Sequence, residues 1–231
     1  ASDMTRRSLR GCLMVFVGLC ASMRWTFLPV PSGTSRRDLL LRLPVATSVA
    51  SPLAAIAVPS VQEVKQELLS LADETKRGTT ASSDQKRRMS QLADELTSAA
   101  PVSTKSMLTG TWNLAYTTEK EVLSLIGDPG VDVYQKVDVE QGTLGNSIAF
   151  TDGKRFDVAG KIDTKARSGA NDEAPYGLRS DFAFTGASLK VPPLQLPLPP
   201  FGAGWFVSTY LDENLRVNRD SRGDLAIYVR A

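Results

Sequence analysis

The chain has 231 residues, 42% of them hydrophobic and 23% charged, with a net charge of +2, the balance of an ordinary soluble globular protein. It holds no histidine, and its two cysteines, Cys12 and Cys20, both lie near the start. The body therefore has no imidazole or thiolate for a Ser-His-Asp or Cys-His site, no zinc site of the usual nitrogen and sulfur kind, and no disulfide.

The charge is uneven. Residues 1–57 carry seven arginines against two aspartates, whereas the rest of the chain holds 20 basic and 23 acidic side chains. A basic head on a mildly acidic body has the form of a removable address and argues against a nucleic-acid-binding domain. Within the head, residues 4–23 place arginines before the apolar run Cys12–Ala21, the pattern of a secretory signal peptide and too short to favour a membrane span. Residues 24–35 are rich in Arg, Ser, Thr and Pro and free of acids, as in a short transit peptide. Over 36–57, Arg36-Arg37 precedes a moderately apolar stretch ending in Ala55-Ile56-Ala57, which suggests a twin-arginine thylakoid transfer signal with a cleavage site. Three signals in series point to a secondary plastid, associated with thylakoids and with the lumen as one destination. A single long transit peptide over 24–57, ending in the stroma, is the alternative. The fold is expected to begin near residue 58, with a helical preface over 58–101 and a barrel over 102–231 forming one domain.

From Val61 to Lys76, the residues Val61, Val64, Leu68 and Leu71 recur at three- and four-residue steps, which predicts an amphipathic helix stopped by Gly78. Ser82 and Gln85 offer a capping box for a second helix with Met89, Leu92, Ala93 and Leu96 inward, ending before Pro101.

After Pro101 the period changes to two. Trp112, Leu114 and Tyr116 share one face of the first strand. Val131, Val133, Gln135, Val137 and Val139 align in the second; Leu144, Asn146, Ile148 and Phe150 in the third. Phe156, Val158 and Ile162 follow, then Leu178, Ser180, Phe182 and Phe184, and finally WFVSTYL, LRVNR and DLAIYVR. Eight or nine short antiparallel strands joined mostly by turns, with no βαβ unit, predict a mainly β fold of barrel type, wide enough for one small ligand.

Gln135 and Asn146 interrupt apolar faces, and Tyr116, Ser180 and Thr209 do likewise if the alternation is unbroken. An unpaired polar group there costs about 1–3 kcal/mol. These side chains either satisfy one another or orient a mostly apolar ligand, with Phe156 and Phe182 in its lining. The stretch 191–205 is apolar and Pro-rich; its prolines keep it out of a central strand. It is either a polyproline segment over a barrel edge or mouth, or a docking element in which Leu194, Leu196, Leu198 and Phe201 meet lipid or a membrane partner.

Together, the helical preface, LTGTWNLAYTT, VYQKVDVEQGTLGNSIAF and GWFVSTYLDENLRVNRDSRGDLAIYVR resemble the plastid lipid-associated proteins, or fibrillins, of plastoglobules and thylakoids, over about residues 61–231. The resemblance implies a lipocalin-like barrel that binds or organises hydrophobic plastid molecules (a prenylquinone, a carotenoid, an acyl lipid) at thylakoid or plastoglobule surfaces, without catalysis and without a metal or other cofactor. It implies that Gly110 and Trp112 form a G-x-W barrel closure, with Arg216 or Arg219 stacked over the indole. Asp212 pairs with one of these arginines or starts the following turn. The polar loop 166–177 looks longer than the family needs and reads as a flexible tip, LAIYVR replaces the usual ending, and a lumen signal is not general to the family. A structural or assembly subunit that binds a photosynthetic complex or a lipid-biosynthetic enzyme, its barrel filled by its own side chains, is the alternative. An enzyme built on carboxylates or tyrosine ranks third.

Overall fold

The computed structural model describes residues 59–99, 104–127, 130–167, 177–200 and 202–231. The targeting segments expected over 1–57, Phe201 and most of the polar loop 166–177 lie outside them. The two amphipathic patterns form helices α1 (Val61–Glu74) and α2 (Ser83–Ala99). Both begin in capping boxes. Ser60 and Glu63 exchange side-chain and backbone bonds at the start of α1, as do Ser82 and Gln85 at the start of α2, satisfying amides that the first turn leaves without partners. After α1 the chain tightens into a 3-10 turn, Lys76–Gly78. A Cβ at Gly78, whose φ is +98°, would lie 2.4 Å from the Thr117 carbonyl oxygen, so this turn sits directly on the first strand.

Nine antiparallel strands follow: β1 (Gly110–Thr117), β2 (Asp132–Asp138), β3 (Thr143–Ala149), β4 (Arg155–Arg167), β5 (Gly177–Val191), β6 (Leu194–Leu198), β7 (Ala203–Leu211), β8 (Leu215–Asp220) and β9 (Leu225–Arg230). Neighbours pair in the order β4-β3-β2-β1-β9-β8-β7-β5, and β4 pairs with β5 to close an eight-stranded barrel. The fifteen-residue β5 serves two partners on one edge. Leu178–Ala183 pair with β7, and Ala187–Val191 pair with β6. The Pro-rich segment is thus an edge strand rather than a polyproline cover, and Pro197 is tolerated in it because one side of an edge strand needs no donor.

The barrel wall is buried on both faces along β7, β8 and β9. Outside it, Leu68, Met89, Leu92 and Leu96 of the helices pack against Tyr116, Tyr210, Leu215, Val217 and Ile227. Full burial of each large apolar side chain contributes about 1.5–3 kcal/mol, so the helices are part of the core. Inside, Leu108, Trp112, Val137, Leu144, Ile162, Leu178, Phe206 and Leu211 fill one end. The other end is plugged by the segment after β1, which carries the short helix α3 (Lys120–Leu123) and packs Val122, Leu123, Leu125, Ile126 and Val131 with Leu114, Ile148 and Ala226.

Candidate functional site

Trp112 is fully buried at the closed end of the barrel. Its indole N–H donates to the Leu108 carbonyl (2.9 Å), in the 3-10 turn Lys105–Leu108 beneath the barrel. Two guanidinium groups approach its ring, Arg216 at 4.9 Å and Arg230 at 4.2 Å from the centroid, within cation–π range. Arg230 also donates to the carbonyls of Met107 and Thr109, tying the last strand to the 3-10 turn. A Cβ at Gly110 (φ +150°) would stand 2.2 Å from Arg230 Nη1. The Gly of G-x-W is therefore the space into which an arginine fits.

Arg216 is 0% exposed. Its guanidinium crosses from β8 toward β2, lies 4.3 Å from the Tyr228 ring and 5.8 Å from that of Phe206, and donates through Nη2 to Gln135 Oε1 at 2.7 Å. Gln135 in turn donates to Asn146 Oδ1 at 2.9 Å. The remaining donors, Nε and Nη1, meet no acceptor in the protein. Burial pulls Arg216 down to about 10, the neighbouring Arg230 adding to the effect while Tyr228 opposes it. The other interior polar groups pair among themselves, Thr164 with Ser180 at 2.8 Å and Ser208 with Asn218 at 2.9 Å.

Of the residues singled out from sequence, Trp112, Gln135, Asn146, Phe156, Ser180 and Phe182 lie on the inner face, by the strand register that aligns them. Two do not lie where the alternation puts them. A bulge between Leu114 and Tyr116 turns Tyr116 outward, where it packs under the helices with its hydroxyl unpaired. A second bulge between Ser208 and Tyr210 takes Thr209 out of register, and its hydroxyl reaches the Val217 carbonyl at 3.5 Å. Arg219 faces the helices and donates to Ser90 and Asp94 of α2 (2.9 and 2.8 Å), so it plays no part in closure. Asp212 pairs with neither arginine. It accepts from the amides of Asn214 and Leu215 and holds Lys65 and the Tyr210 hydroxyl, each at 2.6 Å.

Tyr228 and Arg230 are not among the residues the sequence pattern singles out, although Ala226, Tyr228 and Arg230 share one alternation phase of the last strand. The same holds for Phe206, Ser208 and Asn218.

The inner face continues past the barrel rim along β5 and β6. Phe182 stacks 5.1 Å from Phe184 and 6.2 Å from Phe206. Leu189 of β5 is paired with Leu196, and Val191 with Leu194. Leu194 is 62% and Leu196 47% exposed, while Leu198 is half-buried. On the outer wall of β2–β5, a groove of about 440 Å³ runs over Gly145, Ala159 and Gly186, flanked by Tyr134 and Lys136. Among the described residues no group of three or more His, Cys, Asp or Glu is placed to hold a metal ion.

A family model described as PAP_fibrillin matches residues 62–172 and 180–229 of the chain. The stretch 173–179 between the matches falls at the polar loop. The relatives include probable plastid-lipid-associated protein 11, chloroplastic, from Arabidopsis thaliana. It is 36% identical over 185 residues, covering 74% of this chain and 80% of the relative. Probable plastid-lipid-associated protein 1, chloroplastic, of the same plant is 26% identical, covering 80% and 75%. A chromoplast-specific carotenoid-associated protein, C1, from an Oncidium hybrid cultivar is 24% identical, covering 74% and 69%. No solved structure matches significantly.

Proposed function

This chain belongs to the PAP/fibrillin family of plastid lipid-associated proteins, and we propose that it is a non-enzymatic plastid protein that binds or organises a hydrophobic molecule at a thylakoid or plastoglobule surface. The hydrophobic molecule is of the prenylquinone, carotenoid or acyl-lipid kind. The observation that carries this reading is the exposed pair Leu194 and Leu196 on the edge hairpin, on the face that runs inward to Phe182 and Phe184. An exposed apolar strip continuous with half-buried phenylalanines is suited to meeting lipid. The plastid setting is supported by the chloroplast and chromoplast names of the relatives and by the basic head.

The test is flotation with vesicles of galactolipid and phosphatidylglycerol. Wild-type protein is expected to float, and the double variant Leu194→Asp, Leu196→Asp to stay in the load with its circular dichroism unchanged. Equal flotation of the two overturns the docking surface.

The packed closed end and the α3 plug favour a second reading, a structural subunit that docks on a photosynthetic complex or lipid-biosynthetic enzyme without its own ligand. Native mass spectrometry separates the two. A stoichiometric extractable lipid supports the first reading, and an empty protein held on a complex supports the second.

A further inference from the structure

On the inner face Gln135 pairs with Asn146, Thr164 with Ser180 and Ser208 with Asn218, whereas Arg216 keeps buried donors that meet no protein acceptor. Arg216 has five N–H bonds. One on Nη2 goes to Gln135, while those on Nε and Nη1 are buried with no protein acceptor. Arg216 forms no ion pair with any carboxylate among the described residues; the faces around it are aromatic, and a second guanidinium, Arg230, shares the Trp112 ring. Cation–π contacts offset part of the cost of burying the charge, but they leave the N–H groups unmet, and unmet donors at a buried charge are expensive. The enclave is therefore positive and rich in donors, which suits an acceptor carrying negative charge.

A row of phenylalanine rings leads away from it through the packed interior. Phe206 lies 5.8 Å from the Arg216 guanidinium, Phe182 6.2 Å from Phe206, and Phe184 5.1 Å from Phe182. Phe182 and Phe184 are only half-buried, and beyond them the same face reaches Leu196 on the exposed hairpin. Charge within and hydrocarbon outward is the shape of an amphiphile bound head first.

We propose that Arg216 is the head-group site of a carboxylate-bearing amphiphile, its carboxylate taking the free Nε and Nη1 donors and its tail leaving along Phe206, Phe182 and Phe184 to the β5–β6 edge. This rests on the reading of the protein as a binder of hydrophobic molecules and names the chemical class it takes. Gln135, held by Asn146, is the positioning residue that orients the guanidinium across the barrel.

The experiment compares oleate with oleyl alcohol, which has the same chain and no charge, by calorimetric titration of the purified chain near pH 8. Oleate is expected to bind at least about ten-fold more tightly, since a charge-assisted pair of hydrogen bonds exceeds the free energy of one decade. Arg216→Met is expected to erase that preference while oleyl alcohol still binds. Equal affinities in the wild type, or a preference that survives in Arg216→Met, overturn the proposal and leave the broader lipid-binding reading standing. Binding of neither ligand overturns both. Should Arg216→Met not fold, carboxyl-labelled oleate on wild-type protein decides by carbon NMR. A carboxylate on Arg216 stays ionised at about pH 5, because a buried opposite charge favours the ionised form; titration as in plain vesicles overturns the proposal.

Discussion

The Trp112 indole carries two arginines, Arg216 at 4.9 Å and Arg230 at 4.2 Å from its centroid. These residues come from β1, β8 and β9, so one ring joins three strands at the barrel's closed end, and its N–H fixes the 3-10 turn below them. Truncating it opens a cavity under two charges. Trp112→Ala is expected to cost about 3–5 kcal/mol, read as a lowered urea midpoint. Full stability with loss of bound lipid would mean that the tryptophan serves the ligand and not the closure.

Gly110 tests the same joint from the backbone. Its φ of +150° is rarely adopted by residues with a side chain, and a Cβ there would collide with Arg230 Nη1 at 2.2 Å. Gly110→Ala therefore displaces the Arg230 fork from Trp112 and the Thr109 carbonyl, with an expected cost of about 1–3 kcal/mol. Thermal melting of the variant checks this, and a midpoint matching the wild type sinks the account.

Asp212 links the helical preface to the barrel. Burial works against its ionised form, but bonds from Lys65, Tyr210 and the amides of Asn214 and Leu215 outweigh it and hold the carboxyl at about 2. A folded value below the ordinary 3.8 gives stability that is fully present above about pH 4 and lost as pH falls toward 2. Allowing for partial exposure, Asp212→Asn is expected to lose about 1–2 kcal/mol at pH 7. Denaturant midpoints of the two proteins should converge near pH 2; a gap independent of pH contradicts the linkage.

How the strands could be read depended on what covers each face. The period of two locates them, and it sets Gln135 and Asn146, which bond across β2 and β3, in the inward phase. Along β8 the same rule misleads. Leu215 and Val217 look like the inward residues, yet they face α1 and α2, while Arg216 and Asn218 point into the barrel. With helices covering the outer wall, both faces are dry and hydrophobicity no longer marks the interior, so Arg216 could not be told from Arg219. The bulges that moved Tyr116 and Thr209 depend on the register with β9 and β8, which a strand's own sequence does not carry. The edge role of β6 was legible only as an exclusion, through its prolines.

Glu119 stands where the chain leaves β1 for the α3 plug, beside an arginine shared by four carboxylates. Arg222 lies 3.1 to 3.5 Å from Glu119, Glu121, Asp220 and Asp224. Burial pushes Glu119 up to about 7, Asp220 reinforces the rise, and Arg222 opposes it. The sign follows from a folded value above the ordinary 4.5. Below about pH 4.5 the group is protonated whether folded or not and costs nothing. As pH rises toward 7 the unfolded chain ionises first, and stability falls. Glu119→Gln removes that loss and one pairing of Arg222, which keeps its other three carboxylates. The variant is expected to match the wild type near pH 4.5 and to be more stable by about 1–3 kcal/mol above pH 7, with hydrogen exchange slowed in the plug around Val122 and Ile126. If urea midpoints differ equally at both pH values, or the variant is the weaker at pH 8, Glu119 is held by Arg222 and burial does not govern it.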